Sequence, residues 1–156
     1  MNWGAIGAVG ELIGAAAVFI SLIYLAVQIK NSKRSDQIIA ASQAASAVDE
    51  WIGQMVRDRE LHELYRRGLT EYESLSRKDK SRFAMLIMQF LRSTETIWLH
   101  RQMDTIDSGY WSSVEASIAS IVGSAGGTRS FERNREMLST SFACRIEYIL
   151  NRNKDQ

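Results

Sequence analysis

From Ala5 to Ile29 the hydrophobic pattern has no polar face, and the only strongly polar side chains are Glu11, Ser21 and Gln28. These 25 residues, rising 1.5 Å each as a helix, extend about 37 Å, enough to cross a hydrocarbon core of ~30 Å with some tilt. Twelve of them are Leu, Ile, Val or Phe. At roughly −0.3 to −0.6 kcal/mol each, these outweigh one buried acid at about +2.5 to +3.5 kcal/mol. The pattern predicts a transmembrane anchor within residues 1–30, with Trp3 and Tyr24 as interfacial aromatics. A cleaved signal peptide fits less well: the start is not basic, the apolar run is too long, and Val27-Gln28-Ile29 is a poor cleavage site. A core helix of a soluble domain is seldom apolar on every face over such a length.

Lys30, Lys33 and Arg34 follow the span directly, and no Lys or Arg stands before it in the sequence. The positive-inside rule then places the N-terminus outside and the C-terminal part in the cytoplasm. Within the span, Gly7, Gly10, Gly14, Ala17 and Ser21 recur at steps of 3, 4, 3 and 4, and Tyr24 extends the row. Gly10 and Gly14 form a GxxxG pair. Small residues let backbones approach closely, and in lipid that packing is a main source of helix association. Glu11 lies six residues, or about 9 Å, beyond Ala5, deep enough to be costly. Three roles are open to it: snorkelling toward the interface or staying protonated, hydrogen-bonding into a neighbouring helix, or carrying protons or ions.

Residues 31–156 are expected to form a cytoplasmic antiparallel helical bundle, making the chain all-α. Ile38, Ala41, Ala45, Val48, Ile52 and Met55 predict one apolar stripe that continues from the span without a Pro or Gly between them. A shorter helix is expected over Arg59–Arg67, with Leu61, Leu64 and Tyr65 inward and Gly68 as its stop. Ser76 reads as an N-cap, with Asp79 at the capping-box position, for a long central helix reaching Met103. Its inward face is Phe83, Leu86, Ile87, Phe90, Leu91, Thr94, Ile97 and Trp98. After Asp107-Ser108-Gly109, a stripe runs through Trp111, Val114, Ile118, Ile121 and Val122. Gly123 and Gly126-Gly127 suggest a tight turn, with Thr128 capping Arg129–Leu138. A last helix, about Thr140–Arg152, offers Phe142, Ile146, Ile149 and Leu150. No convincing period-2 run or internal repeat of 20–50 residues appears.

Composition sharpens this picture in three ways. There is no Pro at all, which suits long helices with short connections. The net charge is +1, removing the usual electrostatic reason to propose nucleic-acid binding. A lone cysteine, Cys144, excludes an intramolecular disulfide and any multi-cysteine metal site.

Candidate chemistry is sparse. Phosphate-loop, GxSxG, HExxH and EF-hand patterns are missing, and neither His62 nor His100 has an acid three positions before it. Cys144, beside Phe142 and Ile146, reads as a small core residue, His62 as solvated, and His100 with Arg101 as partners of a helix dipole. Arg129, Glu132, Arg133, Arg135 and Glu136 read as a mixed-charge surface. No cofactor, metal or catalytic residue is expected, so the sequence does not point to an enzyme.

The run Trp3…Ile6-Gly7…Gly10-Glu11-Leu12-Ile13-Gly14…Ser21-Leu22-Ile23-Tyr24-Leu25-Ala26-Val27-Gln28-Ile29-Lys30-Asn31 resembles a broad family of small bacterial single-pass membrane proteins with a cytoplasmic helical domain. Arg66-Arg67-Gly68, Leu75-Ser76 and Gly126-Gly127 are similar to stretches of that family, while Phe131 stands where relatives often carry Trp. The resemblance implies an inner-membrane anchor holding a helical domain, and it brings no established activity.

The expected function is therefore that of an inner-membrane interaction or scaffold protein, self-associating or serving as an accessory subunit of a larger membrane complex. Its expected partners are the lipid bilayer and further protein chains, with no nucleic acid. The alternative is an oligomeric ion or proton pore built on a ring of Glu11. In that case Glu11→Gln alters flux in reconstituted vesicles, and absence of flux from the wild type ends the idea.

Overall fold

The protein, seen in a computed structural model, is described for residues 3–154. Side chains at residues 3–10, 12, 13, 15, 16, 34, 36, 37, 40, 41, 44, 153 and 154 lie outside the description. Six α-helices follow one another: α1 (Trp3–Arg57), α2 (Arg59–Thr70), α3 (Arg77–Gln102), α4 (Ser108–Val122), α5 (Ala125–Asn134) and α6 (Thr140–Lys154). Short 3₁₀ turns occupy Tyr72–Ser74 and Arg135–Met137, and no strand occurs among the described residues. The chain is all-α. It divides into two compact units, one ending at Ile39 and one beginning at Ala40, with the division inside α1.

In the first unit α1 runs without interruption, consistent with the absence of Pro. Among the described residues no helix is long and apolar enough to cross a membrane. The spanning segment expected from residues 5–29 rests on the hydropathy of the whole stretch, part of which lies outside the described side chains.

The second unit is a helical bundle whose starts are set by local side-chain caps. Asp58 separates α1 from α2 and accepts from the Leu61 N–H at 3.0 Å. Ser76 caps α3 as expected, accepting from the Asp79 N–H at 3.1 Å. The Asp79 carboxylate takes the Ser76 hydroxyl at 2.8 Å, where a full capping box would reach the backbone. Asp107 caps α4 through the Gly109 N–H at 2.7 Å.

Two expectations about glycine fail here. Gly126 and Gly127 form no turn: they sit inside α5, which is capped by Ser124 accepting from the Gly127 N–H at 3.0 Å. Thr128 is not the cap but donates to the Val122 carbonyl at 2.9 Å. Gly68 does not stop α2, which continues to Thr70, and lies buried where a Cβ would overlap the Phe83 ring. Ser124→Ala should cost about 1 kcal/mol through the lost cap, read as a lower urea midpoint with an unchanged slope.

The core surrounds α3, whose Phe83, Ile87, Phe90, Leu91 and Ile97 are essentially fully buried. Around them pack Met55, Leu64, Trp111, Ile118, Val122, Phe131, Phe142, Ile146 and Ile149. Val48 and Met55 of the expected α1 stripe pack on the core, but Trp51 takes the inward place expected of Ile52. Trp51 is buried, its Nε1 donating to the Leu86 carbonyl at 2.9 Å, while Ile38 and Ile52 are exposed. A bulky indole that finds a buried acceptor fixes the roll of the helix more firmly than the neighbouring isoleucine. Phe131 fills its core position without the Trp of the resembled family. Cys144 is exposed, contrary to the core reading. At roughly 100° per residue it faces away from both Phe142 and Ile146.

Candidate functional site

The residues expected to carry function in the first unit lie along one helix. Glu11, Gly14, Ala17, Ser21, Lys30 and Lys33 are exposed, whereas Gly7, Gly10 and Arg34 fall outside the described side chains. A Cβ added at Gly14 would meet nothing within 4 Å among the described residues. The Ser21 hydroxyl satisfies itself on the Ala17 carbonyl at 2.8 Å, and the Gln28 amide donates to the Tyr24 hydroxyl at 2.8 Å. Ser21 and Gln28 are thus paired within their own helix. Val18, Phe19 and Ile20 are 60–67% exposed, and Leu22, Ile23, Leu25, Val27 and Ile29 are also exposed.

In the second unit the structure brings together a group that sequence reasoning missed. Glu115 on α4, only 8% exposed at its side chain, accepts from Trp111 Nε1 at 2.7 Å and from Arg145 Nε of α6 at 2.7 Å. Arg145 Nη2 bonds the same oxygen, and Arg152 stands 3.9 Å from the other. The Arg145 guanidinium lies over Trp98 of α3 at 5.6 Å and over Tyr148 at 4.9 Å. Trp98 and Trp111 stand 5.1 Å apart at 44°, and Trp98 Nε1 is buried with no hydrogen-bond partner among the described residues. Beside them opens a cavity of about 260 Å³ lined by Trp98, Arg101, Gln102, Asp104, Trp111 and Arg145. Asp104 sits at φ +53° as α3 ends, the Thr105 N–H returning to the His100 carbonyl and its own N–H to that of Arg101. That is a Schellman ending, in which glycine usually holds the left-handed position.

A second buried acid, Glu95 on α3, accepts from the Ser139 N–H at 2.6 Å and pairs with Arg92 at 3.2 Å. Arg92 also donates to the Met137 carbonyl at 2.9 Å, so these two side chains tie the chain entering α6 onto α3. One signal marked both acids in the sequence. Each lies on an apolar stripe, Glu95 between Leu91 and Trp98 and Glu115 between Trp111 and Ile118, where a charge must find partners.

The remaining candidates are more weakly organised. His62 is exposed, as expected. His100 is buried, with Nδ1 3.3 Å from the Thr105 hydroxyl, which is more than a dipole role. A groove of about 480 Å³ between α2 and α3 sets Arg59, Arg67 and Arg82 against Glu60, Glu63 and Asp79, leaving no preferred ligand sign. At the surface, hydrogen bonds from Arg66 and Lys80 hold Glu63 and Glu73 below the usual carboxylate range, while burial pushes Tyr65 up. Arg129, Glu132, Arg133, Arg135 and Glu136 are all exposed, matching the mixed-charge surface expected. Among the described residues no three His, Cys, Asp or Glu side chains converge as a metal set. No family model, curated protein or solved structure matches the chain.

Proposed function

We propose that the protein is a single-pass bacterial inner-membrane scaffold, anchored by residues 5–29 and self-associating through that segment. The observation that carries this reading is the row of exposed aliphatic and aromatic side chains from Val18 to Ile29. Left in water, such a row loses the free energy that drives apolar groups out of it, about 1.5–3 kcal/mol per large side chain; lipid supplies the missing environment. Lys30, Lys33 and Arg34 support placing the following residues in the cytoplasm and the N-terminus outside.

Self-association is supported by the spacing of Gly7, Gly10, Gly14, Ala17 and Ser21 and by the open space at Gly14. Glu11, exposed three residues before Gly14, is placed to hydrogen-bond a neighbouring chain. Replacing Gly10 and Gly14 together with Leu should lower the mass of the detergent-solubilised particle, measured by light scattering with the detergent contribution subtracted. An unchanged mass contradicts association through this face. An accessory-subunit role differs in requiring a stoichiometric foreign chain after gentle solubilisation.

A further inference from the structure

We infer that the depression between α3 and the segment joining α5 to α6 binds a soft monovalent metal ion, Cu(I) in chemical class, through the thioethers of Met85, Met88 and Met137. The depression holds about 320 Å³, and its other lining residues are Ser81, Ala84, Arg133 and Asn134. The whole chain has six methionines, so half of them line this one place. Met85 is 71% exposed and Met137 61%, so these two side chains are little committed to the core and free to turn. No Leu, Ile, Val or aromatic side chain lines the depression, and its apolar wall is Ala84 and thioether. Every residue that builds it belongs to the unit beginning at Ala40, so the site stands or falls separately from the anchor.

The fold places the three sulfur arms from two directions. Met85 and Met88 stand three residues apart on α3 and so share a face of that helix. Met137 ends the second 3₁₀ turn, and its backbone is tied to α3: Arg92 donates to the Met137 carbonyl at 2.9 Å, and Glu95 accepts from the Ser139 N–H at 2.6 Å. A methionine side chain is unbranched and polarizable, so three of them rooted here can turn toward one ion while the helices stay in place. The donor set decides the ion. No Cys, His, Asp or Glu lines the depression, so it lacks the carboxylates that Ca²⁺ and Mg²⁺ take and the thiolates and imidazoles that Zn²⁺ takes. Neutral thioethers are soft donors and select Cu(I). Arg133 in the lining acts in the same sense, since its charge repels a divalent ion twice as strongly as a monovalent one.

The test uses the full chain in detergent micelles and follows its methionine methyl resonances by NMR. Ag(I), a soft ion of the same charge that is stable in air, is the probe, added as the nitrate in chloride-free buffer. The chain carries Cys144→Ser, because the exposed thiol would otherwise take the first equivalent. The Met85, Met88 and Met137 signals should shift together and saturate at a single ion per chain. Buried Met55 and exposed Met103 should stay where they are over that range, and Zn(II) should move none of the five. Met85→Leu and Met137→Leu should each weaken Ag(I) binding at least about tenfold, while Met103→Leu leaves it unchanged. Leucine keeps the volume and the apolar surface and removes the sulfur, so these variants separate ligation from ordinary apolar contact. Absence of a saturable Ag(I) shift overturns the assignment. So does a Met103 signal that responds over the same range as the other three, an equal response to Zn(II), or leucine variants at positions 85 and 137 that bind Ag(I) as the parent does.

Discussion

Gly126→Ala is expected to destabilise the helical unit by about 2–4 kcal/mol, although alanine is the better helix former by about 0.8–1.0 kcal/mol in an open helix. The added Cβ would overlap the Gly68 carbonyl oxygen and stand 2.8 Å from Tyr72 Cδ2 and 2.9 Å from Phe83 Cε1. A backbone oxygen cannot swing aside as a side chain can, so α2 and α5 must separate and the ring of Phe83 must lose contacts. Gly53→Ala supplies the contrast. There the nearest atoms belong to the flexible Arg57 side chain at 3.3 Å, and the substitution should stabilise by roughly 0.5–1 kcal/mol. Urea unfolding of the two variants should therefore move in opposite directions. Equal small shifts would show that α2 and α5 do not meet backbone to backbone.

Arg145→Ala is the second large effect. It removes two donors from a carboxylate that is 8% exposed and leaves, among the described residues, the Trp111 N–H and Arg152 at 3.9 Å. Stranding one partner of a fully buried pair costs about 3–5 kcal/mol; because Arg145 is itself 30% exposed, about 2–4 kcal/mol is expected. The loss should be mostly conditional on the charge of Glu115. The double variant Glu115→Gln with Arg145→Met should recover at least about half of it, which a double-mutant cycle in urea measures. A single variant within about 0.5 kcal/mol of wild type would mean that solvent, and not the arginine, satisfies Glu115.

Much of the bundle was legible because local signals agreed with packing. Ser76 and Asp107 stand at helix starts, and the α3 and α6 stripes faced inward at the expected residues. Glycine was the main source of error. A glycine that ends a helix and one that admits a neighbour look alike in a sequence, and Gly68, Gly126 and Gly127 are of the second kind. For Gly68 and Gly126 what distinguishes them is the ring of Phe83 and the backbone of another helix, distant along the chain, and for Gly127 it is the end of α4 at Ile121 and Val122. The choice between Trp51 and Ile52 likewise turned on an acceptor 35 residues away, the Leu86 carbonyl. The Glu115 site was hidden for the same reason. Its acid stood visibly on an apolar stripe, but nothing in the sequence joined it to Arg145, Trp98 or the ending of α3.

Residues 5–29 are proposed to have lipid as their solvent. Membranes from cells making the full chain, washed with alkaline carbonate and pelleted, measure it directly. Retention of the protein in the pellet until detergent is added is the expected result. Quantitative release into the supernatant by carbonate alone would contradict it.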